Sequence, residues 1–175
     1  MPDAAPELAY IAYDTFLADV EEVAHKLLQG GWRPDFLVGI GRGGLVPAAF
    51  LSHRLDIAML SVDISSGEPG FAGDLLDKLA GKIRAGQRLL VVDDINDSGT
   101  TIASLRAALA AQGADQEHLR VAVLIDNESS RAKAEYCSRR IDRRSDKRWF
   151  VFPWEALAPR ETLIEEAQEV PERLA

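Results

Sequence analysis

Three stretches of this sequence run apolar without alternation: FLVGIG (36–41), RLLVVDD (88–94) and LRVAVLID (119–126). A strand with one wet face alternates apolar and polar residues, so runs of this kind belong to strands covered on both faces, as in a parallel sheet. Helical patterns lie between them. Asp14 to Gly30 puts Phe16, Val20, Val23, Ala24, Leu27 and Leu28 at helical spacing, with Asp14 or Thr15 able to cap its start and Gly30-Gly31 to end it. GRGG breaks the first run, and LVPAAFLSHRL (45–55) begins a second helix with Pro47 in its first turn, where proline is tolerated. A third helical pattern covers 100–112, and further strands are predicted at IAMLSVDI (57–64) and RWFVF (148–152). The alternation predicts an α/β fold, a parallel sheet of about five strands flanked by helices. Ser65 to Gly86 interrupts it with Gly67, Pro69, Gly70, Gly73 and Gly81. That segment is read as a small hood or flexible flap over about 65–86.

At 175 residues the chain is expected to form a single domain, 1–175. A domain of this size buries roughly 70% of its unfolded surface. The single cysteine, Cys137, excludes an internal disulfide framework and fits a reducing compartment; it is read as a non-catalytic thiol. MPDAAPELAY has neither a basic nor an apolar signal region, and no apolar run approaches a membrane span, so the expected location is the cytoplasm. The net charge of −8 argues against a nucleic-acid surface. The cations cluster in RRIDRRSDKR (139–148), where interspersed acids favour a solvated, self-paired surface. ETLIEEAQEV, near the end of the sequence, reads as an acidic amphipathic helix packing on its own domain or on a partner subunit.

Ligands of open parallel sheets bind beyond the carboxyl ends of the strands. The run RLLVVDD delivers Asp93 and Asp94 to that edge, and Asp97 follows. Taken alone, adjacent acids at a strand end are solvated loop carboxylates capping the next helix. Two neighbouring carboxylates can also accept hydrogen bonds from a diol or hold a divalent cation between ligand oxygens. The turn Asp97-Ser98-Gly99-Thr100-Thr101 leads straight into a helix, and its amides, hydroxyls and helix N-terminus make an anion cradle. A diol site beside a phosphate site suits a sugar phosphate. Other nucleotide signatures are absent: there is no GxxxxGK[ST], and the glycines of GIGRGG are misplaced for a dinucleotide turn.

VVDDINDSGTT resembles the phosphoribosyl-pyrophosphate (PRPP) signature of the type I phosphoribosyltransferases. VGIGRGGLVPAAFLSHRL is similar to the pyrophosphate loop of the 6-oxopurine members, the xanthine-guanine and hypoxanthine-guanine enzymes. RWFVFPWE resembles their base-binding segment, and the order and spacing of all three agree over roughly Tyr10 to Glu155. The resemblance implies that Asp93 and Asp94 bind the ribose hydroxyls, with Asp94 also near a magnesium ion (Mg2+). It implies that Asp97, Ser98, Gly99, Thr100 and Thr101 hold the 5′-phosphate. Arg42, Gly43 and Gly44 would meet the pyrophosphate, at a peptide that in this family is often strained or cis. Asp97 would be the catalytic residue, accepting or stabilising the proton on the base's imidazole ring. Trp149 and Phe150 would form the base platform, one of them being expected in the core. The implied activity is transfer of a 5-phosphoribosyl group from PRPP to hypoxanthine, guanine or xanthine, with release of pyrophosphate. A dimer or tetramer is implied as well.

The sequence departs from that pattern in two places. Family members carry a lysine after the fourth core strand that donates to the base's exocyclic oxygen; here LIDNESS offers Asp126 and Asn127. Asp126 is then a candidate base contact, or it points away while backbone groups near Phe150 read the base. The flap has no clear basic contact to pyrophosphate, Lys78, Lys82 and Arg84 being the candidates. Two alternatives stay open: a PRPP-binding regulator of the same fold, and transfer to a base other than a 6-oxopurine.

Overall fold

The computed structural model describes residues 6–62 and 71–169. In chain order the elements are β1 (Leu8–Tyr10), α1 (Tyr13–Gln29), β2 (Phe36–Ile40), α2 (Gly41–Leu55), β3 (Met59–Val62), α3 (Phe71–Arg84), β4 (Leu89–Asn96), α4 (Thr100–Ala111), β5 (Leu119–Asn127), β6 (Tyr136–Ile141), β7 (Trp149–Val151) and α5 (Arg160–Gln168). Five strands form one sheet in the order β3-β2-β4-β5-β6, and every pairing in it is parallel.

The unalternating runs are explained by what lies on each side of that sheet. Successive side chains of a strand point to opposite faces. Leu37, Leu90, Val92, Ala122 and Leu124 face one way and pack with Phe16, Val20 and Leu27 of α1 and Leu51 of α2. Val38, Leu89, Val91, Val121 and Val123 face the other way, against Ile83 of α3 and Ile102, Leu105 and Leu109 of α4. Both faces are dry, and each fully buried Leu or Val contributes about 1.5–3 kcal/mol. Polar residues inside these strands would have no solvated side to turn to.

Three expectations are corrected. The fifth strand of the sheet is β6, from YCSRRI, and RWFVF supplies only the short β7, which pairs in parallel with β1 as a separate two-stranded sheet (Leu8 with Trp149, Tyr10 with Val151). β6 escapes a hydrophobic pattern because it is an edge strand whose polar residues find partners: Ser138 Oγ and Arg139 Nη2 donate to the buried Asp19 of α1 at 2.6 and 2.8 Å. The segment 65–86 is, over 71–84, helix α3, with Leu79, Ala80 and Ile83 buried against the sheet. Gly73 and Gly81 lie inside that helix, which apolar burial holds despite the ~1 kcal/mol that a helical glycine costs. Residues 63–70 fall outside the described residues, with the last two residues of the predicted strand 57–64. Finally, α2 starts at Gly41 and not after GRGG, so Pro47 lies in the helix interior. The glycines there begin the helix.

α5, the predicted acidic helix, buries Leu163 and Ala167 on its own domain. Among the described residues no helix is long and apolar enough to cross a membrane.

Candidate active site

β4 continues through its acids and ends at Asn96, beyond the predicted end at Asp94. Asp93 and Asp94 are half-buried and line an open cavity of about 990 Å³ at the carboxyl edge of the sheet. Asp93 Oδ1 accepts from the Asp94 amide at 3.0 Å and Asp94 Oδ1 from the Ile95 amide at 2.7 Å. Among the described residues no ion pair reaches either carboxylate. Desolvation by burial pushes Asp93 up to about 7. Burial also raises Asp94 well above the ordinary carboxylate range, helped by the negative charges of Asp93 and of Glu155 across the cavity. Such a pair favours a proton, hydroxyl donors or a cation.

Two helices begin at this cavity, α2 after Ile40 and α4 after Gly99, and neither of these N-cap residues supplies a side-chain acceptor to the helix amides. Gly41, Arg42 and Gly43 line the cavity at the start of α2, while Thr100 and Thr101 line it at the start of α4. Gly41 has φ +55°, a left-handed conformation that suits glycine, and no cis peptide occurs among the described residues. Gly44 is buried behind them, packed on β4 at Val92. Open helix N-termini attract anions. Here two of them flank a pair of acids.

The α4 turn is braced from behind. Ser98 Oγ lies 2.9 Å from Thr100 Oγ1 and accepts from the Thr100 amide at 3.2 Å. Asn127 Nδ2 donates to the Asp97 carbonyl at 3.0 Å, and the Arg131 amide and Nε both donate to the Ser98 carbonyl at 3.2 Å. Gly99, at φ +81°, has no room for a side chain: a Cβ would lie 2.5 Å from Ser130 Oγ and 2.6 Å from the Ala132 amide nitrogen. The loop behind the turn thus requires the glycine.

Two of the expected contact residues, Asp126 and Asp97, do not line the cavity. Asp126 is buried, does not line the cavity, and accepts from Asn96 Nδ2 at 2.7 Å; burial raises its pKa. Asn96 thus satisfies this carboxylate inside the sheet. Asp97 does not line the cavity either. Its carboxylate accepts from Arg143 Nε at 2.8 and 3.1 Å and from Arg143 Nη2 at 2.7 Å. Arg143 sits in the stretch read as a self-paired surface. That reading holds for Arg144 with Asp142 and Arg148 with Asp146, but Arg143 is only 1% exposed.

On the opposite wall Trp149 is half-buried and lines the cavity, whereas Phe150 is buried in the core. Trp154 and Glu155 complete that wall, the Phe152 amide donating to Glu155 Oε2 at 2.9 Å. Of the basic candidates of α3, Lys82 stacks on Phe36 at 3.9 Å and Arg84 donates to the Gln112 carbonyl at 2.6 Å. Neither they nor Lys78 line the cavity.

Fold and site together place an acid pair and two helix starts around one cavity at the carboxyl edge of a parallel sheet. The chain belongs to the phosphoribosyl transferase domain family, which it matches over residues 10–158. It is 32% identical over 100 residues to a xanthine-guanine phosphoribosyltransferase of Chromohalobacter salexigens, covering 57% of this chain and 60% of that protein. It is 27% identical over 104 residues to an orotate phosphoribosyltransferase of Deinococcus radiodurans, covering 59% of this chain and 53% of that one. The chain therefore spans little more than half the length of these curated relatives. The solved Helicobacter pylori xanthine-guanine-hypoxanthine phosphoribosyltransferase superposes with a TM-score of 0.65 at 25% identity, over 86% of this chain and 95% of that one. The resemblance to type I phosphoribosyltransferases on the 6-oxopurine side thus stands.

Proposed function

We propose that this protein transfers the 5-phosphoribosyl group of PRPP to a 6-oxopurine base, releasing pyrophosphate. The observation that carries the reading is that two helix N-termini whose N-cap residues offer no side-chain acceptor share one cavity with an acid pair that no ion pair reaches among the described residues. PRPP presents a matching set: a pyrophosphate, a 5′-phosphate and a ribose diol between them. The α2 turn with Arg42 would receive the pyrophosphate. Thr100, Thr101 and the braced amides of the α4 turn would receive the 5′-phosphate, and Asp93 and Asp94 the hydroxyls.

A divalent cation fits the same donor set. Asp93 and Asp94 are carboxylates with no cationic partner among the described residues, and no cluster of three or more potential ligands occurs among them. That suits Mg2+, which binds through one or two carboxylates together with substrate phosphates. Asp94, under the α2 turn, is the residue expected to hold it. When bound, Mg2+ supplies charge neutralisation for the departing pyrophosphate.

The chemistry asked of the protein is then positioning. A base nitrogen displaces pyrophosphate at ribose C1, positive charge builds on the ring, and the base loses a proton. Helix N-termini hold the two phosphate ends so that C1 is presented between them, and Trp149 offers a face on which a base stacks. Asp97, at the start of the 5′-phosphate turn, would stabilise the base's imidazole proton. Backbone groups near Phe150 would read the oxopurine edge, because the Asp126 carboxylate is turned into Asn96. A panel of nucleobases incubated with PRPP and Mg2+, scored for pyrophosphate release, tests the reading. Release with hypoxanthine, guanine or xanthine is expected; turnover only with adenine, orotate or another pyrimidine would overturn the base assignment. PRPP binding without turnover on any base would favour a regulator.

A further inference from the structure

The Arg143 guanidinium is shared between two walls of the cavity. Its Nε and Nη2 grip both oxygens of Asp97, at the start of the 5′-phosphate turn. Its Nη1 donates to the carbonyls of Arg148, at 2.6 Å, and Asp146, at 3.2 Å, the first being the residue immediately before Trp149. Its face lies over the Phe150 ring at 5.3 Å, and its own amide donates to Asn127 Oδ1 at 3.2 Å. Asn127 in turn donates to the Asp97 carbonyl. β4 and β7 belong to different sheets with no strand pairing between them. This one buried side chain joins the turn after β4 to the strand that carries the stacking tryptophan.

We propose that Arg143 is a positioning residue for phosphoribosyl transfer: it fixes the Asp97 carboxylate and sets its distance from the Trp149 platform. The inference rests on the transferase reading above. A guanidinium suits the task because its planar fork meets both carboxylate oxygens at once, while its remaining donors serve carbonyls in the same plane. A lysine is a point donor that meets one or the other. An error of about 1 Å in such a site can cost roughly a hundredfold in rate.

The test is a double-mutant cycle with Arg143→Gln and Asp97→Asn, measuring base turnover and, by calorimetry, PRPP affinity with Mg2+. Arg143→Gln is expected to lower kcat by about 10–100-fold, the usual loss on removing a partner that orients a functional group, with PRPP affinity changed less than about threefold. Added to Asp97→Asn, it should cost little more, because both changes remove the same placement. Arg143→Lys should recover part of kcat. If Arg143→Gln alone does not fold, the double variant, which leaves no lone buried charge, carries the comparison with Asp97→Asn. Losses that simply multiply in the double variant, or PRPP affinity falling in step with kcat, would mean that Arg143 serves only the fold and would overturn the proposal. So would wild-type turnover in Arg143→Gln. No turnover by the wild-type protein on any base would instead overturn the transferase reading, and the proposal with it.

Discussion

A Cβ at Gly43 would lie 2.5 Å from Asp94 Oδ2. The first turn of α2 therefore rests directly on the second acid of β4, and the anion-attracting helix end and the cation-attracting carboxylate form one unit. Gly43→Ala must displace one against the other. The variant is expected to fold and to bind PRPP with Mg2+ about 1–3 kcal/mol more weakly, the scale of a lost charged hydrogen-bond set. Titration calorimetry beside a thermal melt checks this; unchanged affinity would show that the contact is irrelevant to the ligand.

The acid pair makes the free protein less stable as the medium becomes neutral. Burial raises the folded-state pKa of Asp93 from 3.8 to about 7, so between those values the folded protein holds a proton that the unfolded chain has released. Stability from this group is present below pH 4 and is lost as pH rises towards 7. Asp94 is shifted in the same direction. Asp93→Asn and Asp94→Asn should raise the melting temperature at pH 7.5, by about 2–4 °C per kcal/mol recovered, and flatten its fall between pH 5 and 7. Both should weaken PRPP binding. Calorimetric melts across that range would show no difference in slope between these variants and the wild type if the pair were simply solvated.

Gly99→Val is expected to destabilise the domain rather than merely block a ligand. The substitution places a β-branched residue at φ +81° and drives its Cβ into Ser130 and Ala132. Left-handed strain at a non-glycine residue alone costs about 1–3 kcal/mol. Denaturant unfolding measures the loss, and a Gly99→Val protein as stable as wild type would contradict the packing.

The two aromatic neighbours of β7 should separate cleanly. Trp149→Ala is expected to weaken base or nucleoside monophosphate binding by about 1–3 kcal/mol while leaving stability nearly intact. Phe150→Ala removes a buried ring and should cost about 3–5 kcal/mol of stability. Reversal of these effects would exchange their roles.

Much of this site was legible because it lies on strands whose chemistry changes abruptly. Val91-Val92 to Asp93-Asp94 passes from dry core to ligand edge within one bond, and Gly99-Thr100 marks a helix start. The elements that escaped are those whose stability is not local. β6 is polar because Asp19 of α1 answers it, and α3 keeps two glycines because the sheet holds it in place. The partner of Asp126 could not be read either, because Asn96 stands thirty positions earlier. Arg143 was hidden for the same reason: an arginine in RRIDRRSDKR gives no sign that it turns inward to meet Asp97.

The two-stranded sheet of β1 and β7 has a consequence for how such a protein can change. The wall bearing Trp149 hangs on three backbone pairings to Leu8–Tyr10, outside the ladder that carries both helix starts and the acid pair. Substitutions on the cavity side of the wall, at Trp149, touch no pairing of the central ladder. On the proposed function, preference for one acceptor would drift through a small annex built from two distant parts of the chain, with Arg143 as the buried link to the acid-bearing ladder that has to be kept.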